Sequence, residues 1–157
     1  MKDHGYDNIL IHPNGQLHRK LALLAFDLHG DAWDPFGYGQ QSLAYHMSVK
    51  YNVPLIFMGE NGEVEYGGST ETKNDSLISI DYQKRVWFES GYEKILDQLP
   101  QSLKPHSVFW RFPSDDEIGQ KKLHTTTWSY FENWDPYRNY IVAKEQCGLE
   151  EVDTVNI

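Results

Sequence analysis

The chain has 157 residues, 39% of them hydrophobic and 24% charged, with a net charge of −9 and one cysteine, Cys147. That is the length of one domain with a real core, and it excludes a nucleic-acid binder built on clustered Lys and Arg, an intramolecular disulfide and a cysteine-rich zinc site. No apolar run approaches the roughly 18 residues of a membrane helix, and MKDHGYDNIL carries no apolar leader segment, so a cytoplasmic protein without a membrane span is expected.

In chain order, YDNILIH (6–12) is a short β-prone run closed by the turn signal PNG. A helix should follow, because Leu17, Leu21, Leu24 and Leu28 recur at helical spacing with Ala22 and Ala25 beside them. Asn14 suits its N-cap and Gly30 its stop. DAWDPFGYG (31–39) reads as a loop rich in aromatics and glycine. QQSLAYHMSVKYN (40–52) reads as a second helix, with Leu43, Met47 and either Ala44 or Tyr51 on its inner face. VPLIFM (53–58) is short and β-branched enough for a buried strand. Strand, helix, helix, strand is the order that builds a parallel α/β sheet.

The second half is less regular. Residues 67–80 read as a polar loop, and 81–99 as a helix interrupted at Gly91. SVFWRF (107–112) and TTTWSYF (125–131) are strand candidates on either side of an acidic turn, PSDDEIGQKK. The last helix has a clear start, Asp135 at the N-cap and Pro136 at the first helical position, where a missing N–H costs nothing. It should end at Gly148, with Cys147 a small buried hydrophobe. One domain over 1–157 is expected, an α/β part over 1–68 and an accessory, substrate-binding part over 69–157.

The chemistry concentrates at MGENGEVEYGG (58–68), with three glutamates and four glycines directly after the apolar run. Ligands of open parallel sheets bind outside the carboxyl ends of the strands. Glycines there let a backbone approach a ligand closely. Glutamates there can hold magnesium, bind an ammonium group or act as a general base. Gly62 and Gly67-Gly68 serving turns between solvated glutamates is the plainer alternative; the position after a buried strand favours function. WDPFGYGQ (33–40) is a second candidate, where Tyr38 and Gln40 would line a pocket beside a helix N-terminus, against the plainer reading of a tight turn. His12 ends a third candidate loop. The remaining histidines show no metal-ligand spacing, and no metal site is assigned. Nucleophile elbow, Walker A and GxGxxG patterns are absent.

Four stretches, GYDNILIHPNGQLHRKLALLAF, DPFGYGQ, VPLIFMGENGEVEYGG and YFENWDPYRNYIVAKEQCGL, together resemble the N-acetyl sugar amidotransferases of surface-polysaccharide (lipopolysaccharide) synthesis. The likeness covers most of 5–68 and about 124–150. It implies the PP-loop ATP pyrophosphatase fold, of the adenine nucleotide alpha-hydrolase type, with a doubly wound parallel sheet. It implies that ATP and Mg2+ activate the acetamido oxygen of a nucleotide-linked N-acetyl sugar. Ammonia then displaces AMP and leaves an acetamidino group, and a separate glutaminase with a cyclase-like partner supplies the ammonia. The 58–68 loop is also similar to a loop of asparagine synthetases, in which an acid at the position of Glu60 assists ammonia attack.

On this resemblance Glu60 is the ammonia-handling acid, with Glu63 and Glu65 as supporting carboxylates or magnesium contacts. Gly59, Asn61, Gln40 and Asn14 are the implied nucleotide or substrate contacts. The chain departs from the family pattern in two ways: no SGGxDS phosphate loop and no N-terminal cysteine pair occur. The expectation is therefore a central piece of such an enzyme, with a partial sheet and exposed strand edges and helix faces. The alternative is a non-catalytic relative that keeps the fold as a binding or interaction module.

Overall fold

The structure is a computed structural model, and it describes residues 5–59, 71–72, 75–86 and 92–151. The chain divides into two units, Met1–Ile56 with Leu77–Thr125, and Phe57–Ser76 with Thr126–Ile157. The fold is mixed helix and strand, with one small parallel sheet of two strands, β1 (Leu55–Met58) and β2 (His124–Thr127). No helix among the described residues is long and apolar enough to cross a membrane.

The first unit is built on α1 (Gly15–His29). The Asn14 side chain accepts from the backbone N–H groups of Gln16 and Leu17 at 3.0 and 3.1 Å, the arrangement of an N-cap. Gly30 ends the helix in the left-handed region, φ 76°, with its N–H bonded to the Phe26 carbonyl. The buried stripe is Leu17, Leu21, Leu24 and Ala25; Leu28, expected on it, is exposed. That stripe packs with Tyr38, Tyr92, Ile95, Leu96, Leu99 and Trp110 into one core cluster.

The second helix, α2 (Asp34–Tyr51), starts six residues earlier than the sequence pattern indicates. Pro35 lies in its first turn, where it lacks no needed donor, so most of the expected 31–39 loop is helical. Glycine at position 39 allows a close approach: a Cβ there would stand 3.1 Å from Trp110 Nε1, tighter than ordinary contact. That indole is fixed by its own hydrogen bond to the Pro35 carbonyl, 3.0 Å.

The buried face of α2 is also not the apolar one. Pro35, Tyr38, Ser42, Tyr45 and Ser48 face inward, whereas Leu43, Ala44 and Met47 are half-buried and Tyr51 is exposed. The inward polar groups are bonded, which is what allows their burial. Ser42 Oγ donates to the Phe109 carbonyl and Ser48 Oγ to the Val53 carbonyl. The Tyr45 hydroxyl meets Gln83 and Thr125.

Beyond β1 come α3 (Ile80–Val86) and α4 (Tyr92–Asp97). The expected break at Gly91 falls in 87–91, outside the described residues. SVFWRF forms no strand. Two 3-10 turns, Lys104–His106 and Val108–Trp110, occupy the region instead, set by Pro105 and by the bond from Trp110 N–H to the Ser107 carbonyl, 2.9 Å. The acidic stretch at 113–122 contains a helix, α5 (Asp115–Lys121), opened by a capping box between Ser114 and Glu117. YDNILIH also forms no strand; it is irregular chain.

In the second unit the 125–131 strand candidate is strand only to Thr127. It turns into a short helix, α6 (Trp128–Phe131). The last helix, α7 (Pro136–Cys147), matches its sequence signals: the Asp135 side chain accepts from Arg138 N–H, and Gly148 ends it at φ 71°. None of its residues is buried, so Cys147 is exposed rather than the buried hydrophobe expected.

Candidate functional site

The carboxyl ends of β1 and β2 lie side by side because the strands are parallel neighbours. Local geometry sets β1 there. Asn52 ends α2 in the left-handed conformation, φ 55°, and its side-chain oxygen accepts from Lys121 Nζ at 2.9 Å. Ser48 holds the Val53 carbonyl. His124 N–H then donates to the Pro54 carbonyl at 2.8 Å, where the two strands meet. Thr125, Thr126 and Thr127 of β2 are all buried. On the far side of β2, Ile78 N–H bonds the Thr125 carbonyl at 2.7 Å as an antiparallel bridge.

At the strand ends, Phe57 stacks with Phe131 at a centroid distance of 5.8 Å and a tilt of 19°, and Trp128 stands 5.8 Å away. Thr126 Oγ1 donates to the Ser76 carbonyl at 2.6 Å. Gly59 follows directly, and a Cβ built on it would meet none of the described residues within 4 Å. Glu60, Asn61, Glu63 and Glu65, the remaining loop residues singled out from the sequence, lie outside the described residues.

The other two expected contacts are on the first unit, in different settings. The Asn14 side-chain oxygen is committed to capping α1. Gln40 is exposed on α2 and lines a cavity of about 240 Å3 with His18, Phe36, Leu43, Phe109 and Trp110 among its walls. The His18 ring lies 6.3 Å from Trp110. Tyr38, paired with Gln40 in the sequence reading, points elsewhere: it stacks on Tyr92 at 3.6 Å and 10° within the core.

The described residues do not fit a triphosphate cradle. A phosphate site at a helix start needs unengaged backbone N–H groups and no competing negative charge. At α1 the N–H groups of Gln16 and Leu17 are taken by Asn14. At α2 Asp34 occupies the first turn. No group of three or more His, Cys, Asp or Glu among the described residues is arranged to hold a metal ion.

Two features were missed from the sequence. The buried hydroxyl and amide group of Tyr45, Gln83 and Thr125 had no local signal, since its members are 38 and 80 residues apart. The Ser114–Glu117 capping box did have one, the S-x-x-E spacing. No protein-family model matches this chain, and no curated protein matches it.

Proposed function

We propose that this chain carries the ammonia-handling loop of an ATP-dependent amidotransferase, one that converts the acetamido group of a nucleotide-linked N-acetyl sugar to an acetamidino group. The observation that supports it is the junction at Gly59. β1 ends there beside the parallel β2, and the next residues are the glutamate- and glycine-rich 60–68. Ligands of parallel sheets gather outside such carboxyl ends.

In this reading Glu60 binds ammonium and takes its proton, because only the neutral amine is a nucleophile. Glu63 and Glu65 support it, and Asn61 meets the substrate. The nucleotide and its magnesium are held by a second polypeptide or segment bearing a phosphate loop, and a glutaminase with its cyclase-like partner supplies the ammonia.

The test is AMP release from ATP, ammonia and a UDP-linked N-acetyl sugar, with and without a polypeptide bearing the SGGxDS loop. The reading expects AMP and amidinated sugar only in the complete mixture, and loss of both with Glu60→Gln at an unchanged melting temperature. No AMP in either mixture, from folded protein, overturns it. The second reading, a non-catalytic binding module, is favoured by the engaged helix starts of α1 and α2, and that outcome would select it.

A further inference from the structure

A cavity of about 940 Å3 opens in the first unit between two walls. One wall is residues 5–9; the other is Ala44, Met47, Ser48 and Tyr51 of α2 with Val53, Leu55 and Ile56. Both walls carry exposed apolar side chains. Tyr6 is 70% exposed, Ile9 51% and the adjoining Leu10 75%, while Val53 and Leu55 are 52% and 50% exposed. Among the described residues β1 pairs with β2 alone, the bridge at Ile78 lies on β2, and one edge of β1 has no strand partner.

We propose that Tyr6–His12 is a strap that closes across this cavity and pairs, parallel, with that edge of β1 at Leu55 and Ile56. Four features of the chain favour it as the occupant. Its composition is that of a strand, Tyr, Ile, Leu and Ile within seven residues. α1 and α2 lie between it and β1, the long helical crossover that parallel neighbours require. Its far end is anchored, since Pro13 has a fixed φ and Asn14 caps α1. His12, preceding proline, is restricted to the extended region that a strand needs. Closure covers the Ala44, Met47 and Tyr51 face of α2 with the apolar side chains of the strap, which removes both exposed surfaces from water. An open strand edge beside an apolar groove is otherwise a site for unwanted pairing.

Backbone hydrogen exchange and cross-strand proton contacts in the full chain test this. Closure predicts that the amides of 9–11 exchange about 100-fold more slowly than in a free peptide of the same sequence, with contacts to residues 54–56. The double variant Ile9→Asp/Leu10→Asp should lose that protection while the α1 amides keep theirs, which separates strap release from unfolding. Free-chain exchange at 9–11 in the unaltered protein overturns the proposal. So does protection that survives the double variant, or that rises with protein concentration, which would assign the strand to a second copy. None of these readouts depends on catalysis.

Discussion

The Tyr45 hydroxyl donates to Gln83 Oε1 at 3.1 Å and stands 2.7 Å from Thr125 Oγ1, joining α2, α3 and β2 through one buried oxygen. A phenol has one proton, so with that proton on Gln83 the Thr125 hydroxyl is the donor of the second bond. Gln83 is fully buried and its Nε2 has no partner among the described residues. The network therefore holds three elements while leaving one buried donor without a partner among the described residues.

Tyr45→Phe should destabilise the fold by about 1–3 kcal/mol, because it strands the Gln83 carbonyl as well as removing a bond. Replacing both partners, Tyr45→Phe with Gln83→Leu, should cost less than the sum of the two single changes. Urea unfolding of the four proteins in a double-mutant cycle measures that coupling. Strict additivity would mean that the bond is not made in solution.

The Asn14 cap gives a test with a built-in control. Asn14→Ala should cost about 1 kcal/mol by freeing the Gln16 and Leu17 N–H groups, while Asn14→Asp should be near neutral. Thermal unfolding of the three proteins decides the matter. A ligand-contact role without capping would leave Asn14→Ala at full stability.

Legibility in the sequence followed how local each cause was. α1 and α7 were readable because their caps and stops lie within a few residues: Asn14 and Gly30, Asp135 and Gly148. β1 was readable as a short apolar run, but it spans only Leu55–Met58 and is not the buried strand expected, since Ile56 alone is buried while Leu55 and Phe57 are exposed. The inner face of α2 was not, because apolar periodicity selects Leu43 and Met47, whereas the seat of the helix is Tyr38, Ser42, Tyr45 and Ser48. Those polar groups are buried only because partners distant in sequence, Phe109, Gln83 and Thr125, satisfy them. The 107–112 stretch has strand composition, but tertiary packing of Trp110 into the core set its turns. At the candidate site β1 ends just before Gly59, as the apolar run indicated, and Glu60, Asn61, Glu63 and Glu65 lie outside the described residues, while Gln40 and Asn14 proved to stand in separate surroundings.

The capping box of α5 makes a pH-dependent contribution whose sign is fixed. Glu117 accepts from the Ser114 hydroxyl at 2.7 Å and from its backbone N–H at 2.9 Å. Those bonds, the hydroxyl foremost, hold the carboxyl below its ordinary value of 4.5. The stabilisation is present above that ordinary value and is lost as pH falls through the lower folded one. Unfolding measured from neutral to acid pH should show a shallower decline in Glu117→Gln than in the unaltered protein. Identical slopes would mean that the box does not form.

At the alkaline end the core tyrosines set the limit. Tyr38 and Tyr92 stack at 3.6 Å, and burial pushes both phenols well above their ordinary 10.0. The charge of Glu93 adds to this at Tyr38, and Tyr38 itself adds to it at Tyr92, while Arg111 opposes both shifts. Tyr45 is raised by burial too, against the hydrogen bond with Thr125. With folded values above the unfolded one, the stability held by these phenols is complete below 10.0 and is lost as pH rises beyond it. Phenolate absorbance should therefore show these three tyrosines ionising together with the loss of helical signal. Tyr92→Phe should reduce the steepness of that loss. Ionisation of all tyrosines in a protein that keeps its helical signal would show that the Tyr38–Tyr92 stack is open to water.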